Sequence, residues 1–154
     1  MNALGAILHA ADVVIDVDAT DRAQLLQRAA EVLATRHGLA SRAVEDALVA
    51  RERLGSTALG HGIALPHARL AGLLEPAGAF LRTRVPIPFD APDGKPVAQF
   101  LVLVVPPQAT DRHLRLLACA ATLFGNRSFR DALRAASTPV AIAALLADWQ
   151  VEDA

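Results

Sequence analysis

The chain has 154 residues, 53% of them hydrophobic and 20% charged, with a formal net charge of −1. That is enough apolar material for one packed domain over residues 1–154, and it excludes a disordered chain. The balanced charge and 4% aromatic content also argue against a nucleic-acid partner, which calls for a basic face.

Residues 3–9 are expected to form a short first helix. Val13-Val14-Ile15-Asp16-Val17 is β-branched and reads as a strand. Asp18 or Thr20 is placed to cap a helix carrying Leu25, Leu26, Ala29, Ala30 and Leu33 on one face, ended by Gly38. Ser41 is placed to cap a second helix, with Val44, Ala47 and Leu48 inward, that runs to about Arg53.

The next stretch, Arg51 to Arg69, reads R-E-R-L-G-S-T-A-L-G-H-G-I-A-L-P-H-A-R. Its centre is His67. Pro66 holds its own φ near −65° and disfavours helix at Leu65, so the chain enters His67 extended. Gly55, Gly60 and Gly62 permit tight turns. Ser56, Thr57 and backbone N–H groups are candidates to cradle an anion, with Arg51 or Arg53 as a multi-donor partner. For Ser56 and Thr57 a turn-capping role competes with phosphate contact. An imidazole beside such a loop points to proton or phosphoryl transfer at nitrogen.

Beyond it, residues 78–82 read as a strand. Residues 85–97, with four prolines and Asp93-Gly94, read as a hairpin or ordered loop. Residues 99–105 (Q-F-L-V-L-V-V) are almost continuously apolar, the pattern of a central strand buried on both faces. Thr110 or Asp111 caps a helix with Leu114, Leu117, Ala118 and Ala121 expected on its inner face. Gly125-Asn126 breaks it. A short helix from about Ser128 to Ala135 follows, with Phe129 and Leu133 inward. Thr138-Pro139 then starts a last helix to about Trp149. The expected fold class is α/β: a three-layer sandwich, a mixed β-sheet with helices on both faces.

Cys119 is the only cysteine, so no intrachain disulfide or cysteine cluster is possible, and its apolar helical setting reads as a buried structural thiol. No apolar run spans a membrane, and the N-terminus lacks the basic start of a secretory signal, so a cytoplasmic location without membrane insertion is expected. Gly94-Lys95 is followed by Pro96 and does not make a nucleotide-binding loop. Of the five histidines, His9 and His37 read as unremarkable. His113 falls in the first turn of the helix after the most apolar strand, where ligands of open α/β sheets gather. A metal is the rival use of His67 and His113, with His61 as a third ligand, but no metal-binding spacing occurs. A serine hydrolase lacks its G-x-S-x-G turn.

The Arg51–Arg69 stretch closely resembles the active-site segment of enzyme IIA domains of the bacterial phosphoenolpyruvate-dependent sugar phosphotransferase system, in the fructose, mannitol and nitrogen-regulatory class. F-D-A-P-D-G-K-P-V at 89–97, Q-F-L-V-L-V-V-P-P, H-L-R-L-L-A at 113–118 and L-F-G-N-R-S-F-R-D-A-L resemble later segments of that family, in order. The resemblance implies that His67 accepts a phosphoryl group from a histidine phosphocarrier protein. It implies that His113 and Arg51 stabilise the phosphate, and that no cofactor or metal takes part. It implies as partners that carrier and either regulatory target proteins or a IIB sugar-transport component. The absence of a fused transporter segment suits the nitrogen-regulatory form. Ala68-Arg69 departs from the Gly-Lys often seen there, and His61 stands where relatives often have a small polar residue.

Overall fold

The computed structural model describes residues 1–108 and 110–151. Two short 3-10 turns, Ala3–Ala6 and Ala10–Asp12, stand where one short helix was expected, and lead into β1 (Val13–Val17). Helices α1 (Arg22–His37) and α2 (Ser41–Arg53) follow. The glycine-rich stretch becomes three short strands, β2 (Ala58–Gly60), β3 (Ile63–Ala64) and β4 (His67–Arg69). Two long strands, β5 (Ala77–Ile87) and β6 (Val97–Val105), precede α3 (Asp111–Gly125), α4 (Arg127–Ala135) and α5 (Pro139–Asp148).

The sheet is mixed, in the order β1-β5-β6-β3-β2, with β4 also on β6. Strand β6 is its axis: it pairs antiparallel with β5 and parallel with β3 and β4. Alternation along β6 divides two cores. Phe100, Val102 and Val104 face α1 and α2. Leu101 and Leu103 face α3, α4 and α5. A strand covered on both faces needs no polar side, which is why residues 101–105 carry none.

Three local expectations need correction. The cap of α1 is Asp21, whose side chain accepts from Gln24 N at 2.8 Å. Thr20 instead bonds the Gln24 side chain and Asp18 pairs with Arg84. Ser41 is already inside α2; the cap position is Ala40, which makes no side-chain bond. In α3 the buried residues are His113, Leu116, Cys119, Ala120, Leu123 and Phe124, while Leu114 is 58% exposed. The inner face is thus rotated from the expected one. Leu114, Leu116 and Leu117 are near-equivalent by hydropathy, so periodicity sets the helix but leaves its phase to the sheet beneath. The remaining signals hold: Gly38 is left-handed at φ 67°, Thr110 caps α3, and Thr138-Pro139 starts α5.

Candidate active site

Strands β3 and β4 lie end to end along β6, interrupted at Leu65-Pro66; β2 covers the outer side of β3, and β4 is left as the open edge. Ile63 faces Gln99 and His67 faces Leu103, so the register on β6 is unbroken across the proline. The Pro66 carbonyl continues the ladder by accepting from Leu103 N at 2.9 Å. Paired residues of parallel strands share a face, so His67 lies on the face of Leu103, toward α3, and Ala68 packs into the α1/α2 core.

The half-buried His67 ring is held by one hydrogen bond, Nδ1 to the Leu65 carbonyl at 2.8 Å. A carbonyl only accepts, so Nδ1 carries the proton and Nε2 keeps its lone pair. The carbonyl is free for this because Leu65 N points across to Thr57 O, at 3.0 Å, and the hairpin ends there.

Around His67 lies an open cleft of about 490 Å³, walled by Arg51, Leu54, Ala68, Arg69, Val105 and Leu117. Arg51 sits in the last turn of α2 with Nη1 donating to Gly55 O at 3.0 Å. His113 does not wall this cleft. It occupies the first turn of α3, which the chain enters from the β6 end beside His67. It is 7% exposed, and its Nδ1 is the one buried side-chain N or O among the described residues without a hydrogen-bond partner. Leaving such an atom unpaired in a buried setting costs on the order of 1–3 kcal/mol.

The two hydroxyls point elsewhere. Ser56 Oγ donates to Phe89 O at 2.6 Å and accepts from Ala58 N. Thr57 is buried, and both its N and Oγ1 donate to the Glu52 carboxylate at 2.9–3.0 Å. Sequence reasoning missed Glu52, 4% exposed. A signal was present: a carboxylate in the last turn of a helix opposes the macrodipole and needs donors of its own. His61 lies beyond the far end of β3, about 20 Å away by strand rise. With Gly62 it forms the β2–β3 turn, at φ 57° and 76°, the backbone of a type I′ hairpin. Its N–H donates to Asp93 and its carbonyl accepts from Arg134. Among the described residues no three His, Cys, Asp or Glu side chains are grouped to hold a metal ion, and no helix is long and apolar enough to cross a membrane.

The sequence profile of the family "phosphoenolpyruvate-dependent sugar phosphotransferase system, EIIA 2" matches residues 6–149. A nitrogen regulatory protein of Pseudomonas aeruginosa is 48% identical over 103 residues, 67% of each chain. The crystal structure of nitrogen regulatory protein IIA-Ntr from Neisseria meningitidis superposes with a TM-score of 0.87 at 41% identity, covering 93% of this chain and 98% of that one. Enzyme IIA of the Escherichia coli mannitol system, solved in complex with phosphorylated enzyme IIB, shares the fold at a TM-score of 0.73 and 18% identity, over 91% and 96% of the two chains. On sequence and fold together, the chain belongs to the EIIA type 2 family of the phosphotransferase system, among homologues of the nitrogen regulatory proteins.

Proposed function

We propose that this chain, acting as one folded domain, accepts a phosphoryl group on Nε2 of His67 from a histidine phosphocarrier protein, and that partner proteins read the phosphorylated state. The observation that carries the reading is the Leu65 carbonyl on His67 Nδ1, which leaves Nε2 as the nucleophile. The Nε2–P bond forms as the donor's N–P bond breaks, so a like bond replaces a like bond and neither nucleotide nor metal is required. What the protein supplies is in-line positioning and donors for three equatorial oxygens. His113 and Arg51 are the side-chain donors. Arg51 reaches the phosphate by exchanging its bond to Gly55 O, an acceptor any water can satisfy.

The amides of Thr57, Ala58, His61 and Leu65 already have partners within the protein. The backbone donors for phosphate are therefore those of β4 itself: Pro66 O and Leu70 N both turn toward β6, so by alternation the His67 and Arg69 amides face off the open edge. Ser56 and Thr57 act on this reading by pinning the turn, with their hydroxyls turned inward.

The regulatory role is favoured by the nitrogen regulatory proteins that the chain resembles over most of its length. Leu54 and Leu114 are exposed. Roughly two negative charges added at His67 weaken a partner that docks on such apolar side chains, through the cost of desolvating them and through like-charge repulsion. The second reading, relay to a IIB component, is favoured by the related fold solved with phosphorylated IIB. Incubation with phosphoenolpyruvate and a reconstituted carrier tests the acceptor. His67→Ala is expected to take up no phosphate, and uptake that survives moves the acceptor elsewhere. His113→Ala is expected to accept it about 10²-fold more slowly, the cost of one lost donor to transition-state charge; equal rates and product lifetime remove His113 from the site.

A further inference from the structure

A second and larger concavity, about 750 Å³, lies at the His61 end of β3, and the reaction at His67 makes no use of it. Five elements build it, β5 and β6 among them. Strand β5 carries residues 83–86 where β6 has only Ala98, so this part of β5 bows away from the sheet, as a bulge does when it re-aims side chains. The His61-Gly62 turn, the 93–96 loop and the last turn of α4 close the other sides.

Its charge is one-sided. Arg82, Arg84, Lys95 and Arg134 line it, against the single carboxylate of Asp93. That carboxylate faces backbone donors: Oδ1 accepts from Lys95 N and Oδ2 from His61 N, which pulls its pKa down. Arg82 is held from behind by neutral acceptors, Gln99 Oε1 and the carbonyls of Leu133 and Ala136, so its charge is positioned without being cancelled there. Burial pulls the Arg82 pKa down, and the nearby Asp16 carboxylate acts against that. Arg84 has an exposed ion pair with Asp18 at 3.4 Å, the kind that exchanges readily.

We propose that this groove binds a small organic phosphate monoester, at a site separate from His67. Arg84, Lys95 and Arg134 come from three different elements around one hollow, which suits the three terminal oxygens of a tetrahedral phosphate better than the two coplanar oxygens of a carboxylate. The volume exceeds that of phosphate alone. Pro86 and Pro96 give the organic part apolar walls, and Gln99 adds a polar one.

The test is an amide NMR titration of the full chain, in chloride buffer, with glucose 6-phosphate, inorganic phosphate and glucose. Glucose 6-phosphate is expected to give saturable shifts at His61, Gly62, Arg84, Lys95 and Ala98, with a Kd of about 0.1–1 mM, the range of a few charge-assisted contacts. Inorganic phosphate is expected to bind more weakly and glucose not at all. The double variant Arg84→Gln/Lys95→Gln changes two exposed side chains, keeps its Tm, and is expected to weaken binding about ten-fold or more. His67→Ala is expected to leave the Kd unchanged, so the groove and the acceptor are judged separately. Shifts that never saturate, that centre on His67 and His113, that are matched by glucose or inorganic phosphate, or that persist in the double variant overturn the proposal.

Discussion

At the scale of single residues, the site rests on which polar atoms are already committed. Thr57 illustrates this. Its hydroxyl and N–H both serve Glu52, and its carbonyl accepts from Leu65 N, the residue whose own carbonyl holds the His67 ring. Thr57→Val is therefore expected to lower unfolding stability by about 1–3 kcal/mol, the cost of leaving a buried acceptor short of a donor, measured by urea denaturation. Phosphoryl uptake by the folded variant is expected to persist; its loss would restore the hydroxyl to the phosphate. Cys119 makes the opposite point, a group withheld from chemistry. Burial pushes its thiol pKa up, against weaker backbone hydrogen bonds near Leu4 and Ala3. The thiol is the neutral form, so a raised pKa removes the nucleophilic thiolate as far as the folded state persists. A disulfide reagent at about pH 8 is expected to leave the native protein unmodified and to react on unfolding, since an ordinary cysteine is substantially ionised there. Neither outcome follows from composition. That Cys119 is buried was legible from its A-C-A-A setting, whereas the partner of Thr57 was not.

At the scale of elements, two devices aim the histidines. The first is the proline break between β3 and β4, which keeps the register on β6 while leaving the Leu65 carbonyl outside the ladder. The second is the start of α3. Thr110 accepts from His113 N, tying the cap directly to the second histidine. Thr110→Ala is expected to cost about 0.5–2 kcal/mol, as cap removals do, measured by thermal or urea unfolding. It is also expected to slow phosphoryl uptake more than a cap lost elsewhere, such as Thr138→Ala on α5. Equal effects would detach His113 from the reaction. Sequence pattern located both devices, through Leu-Pro-His and through Thr-Asp-Arg-His. It misjudged the phase of α3, because three leucines within four positions satisfy more than one face and only contact with β6 chooses among them. It also left the glycine-rich stretch without strands, since segments of two or three residues carry no period to detect.

At the scale of the whole molecule, the two cores meet on a single strand. Residues of β6 alternate between them, and Leu103 lies on the face of His67. Leu103→Ala is expected to destabilise the fold by about 2–5 kcal/mol, the range of buried leucine truncations. Unfolding is expected to remain one transition when followed both from α1 and from α5, because neither helical layer has a sheet of its own. Two separate transitions would show that the layers fold independently. The sheet also sets the long axis along which two sites can lie apart, His67 near the carboxyl end of β6 and the arginine-lined groove near its amino end.

Local sequence was enough to place the long elements, the extended entry to His67 and the family, because these depend on backbone preferences and spacings within a few residues. Packing settles which donors are free, which face of α3 is buried, and that the cations of residues 82, 84, 95 and 134 share one hollow. Those outcomes join residues far apart in the chain, such as Ser56 to Phe89 and Arg82 to Ala136. A hydrogen bond or a charge cluster of that kind exists only after the sheet has brought its partners together.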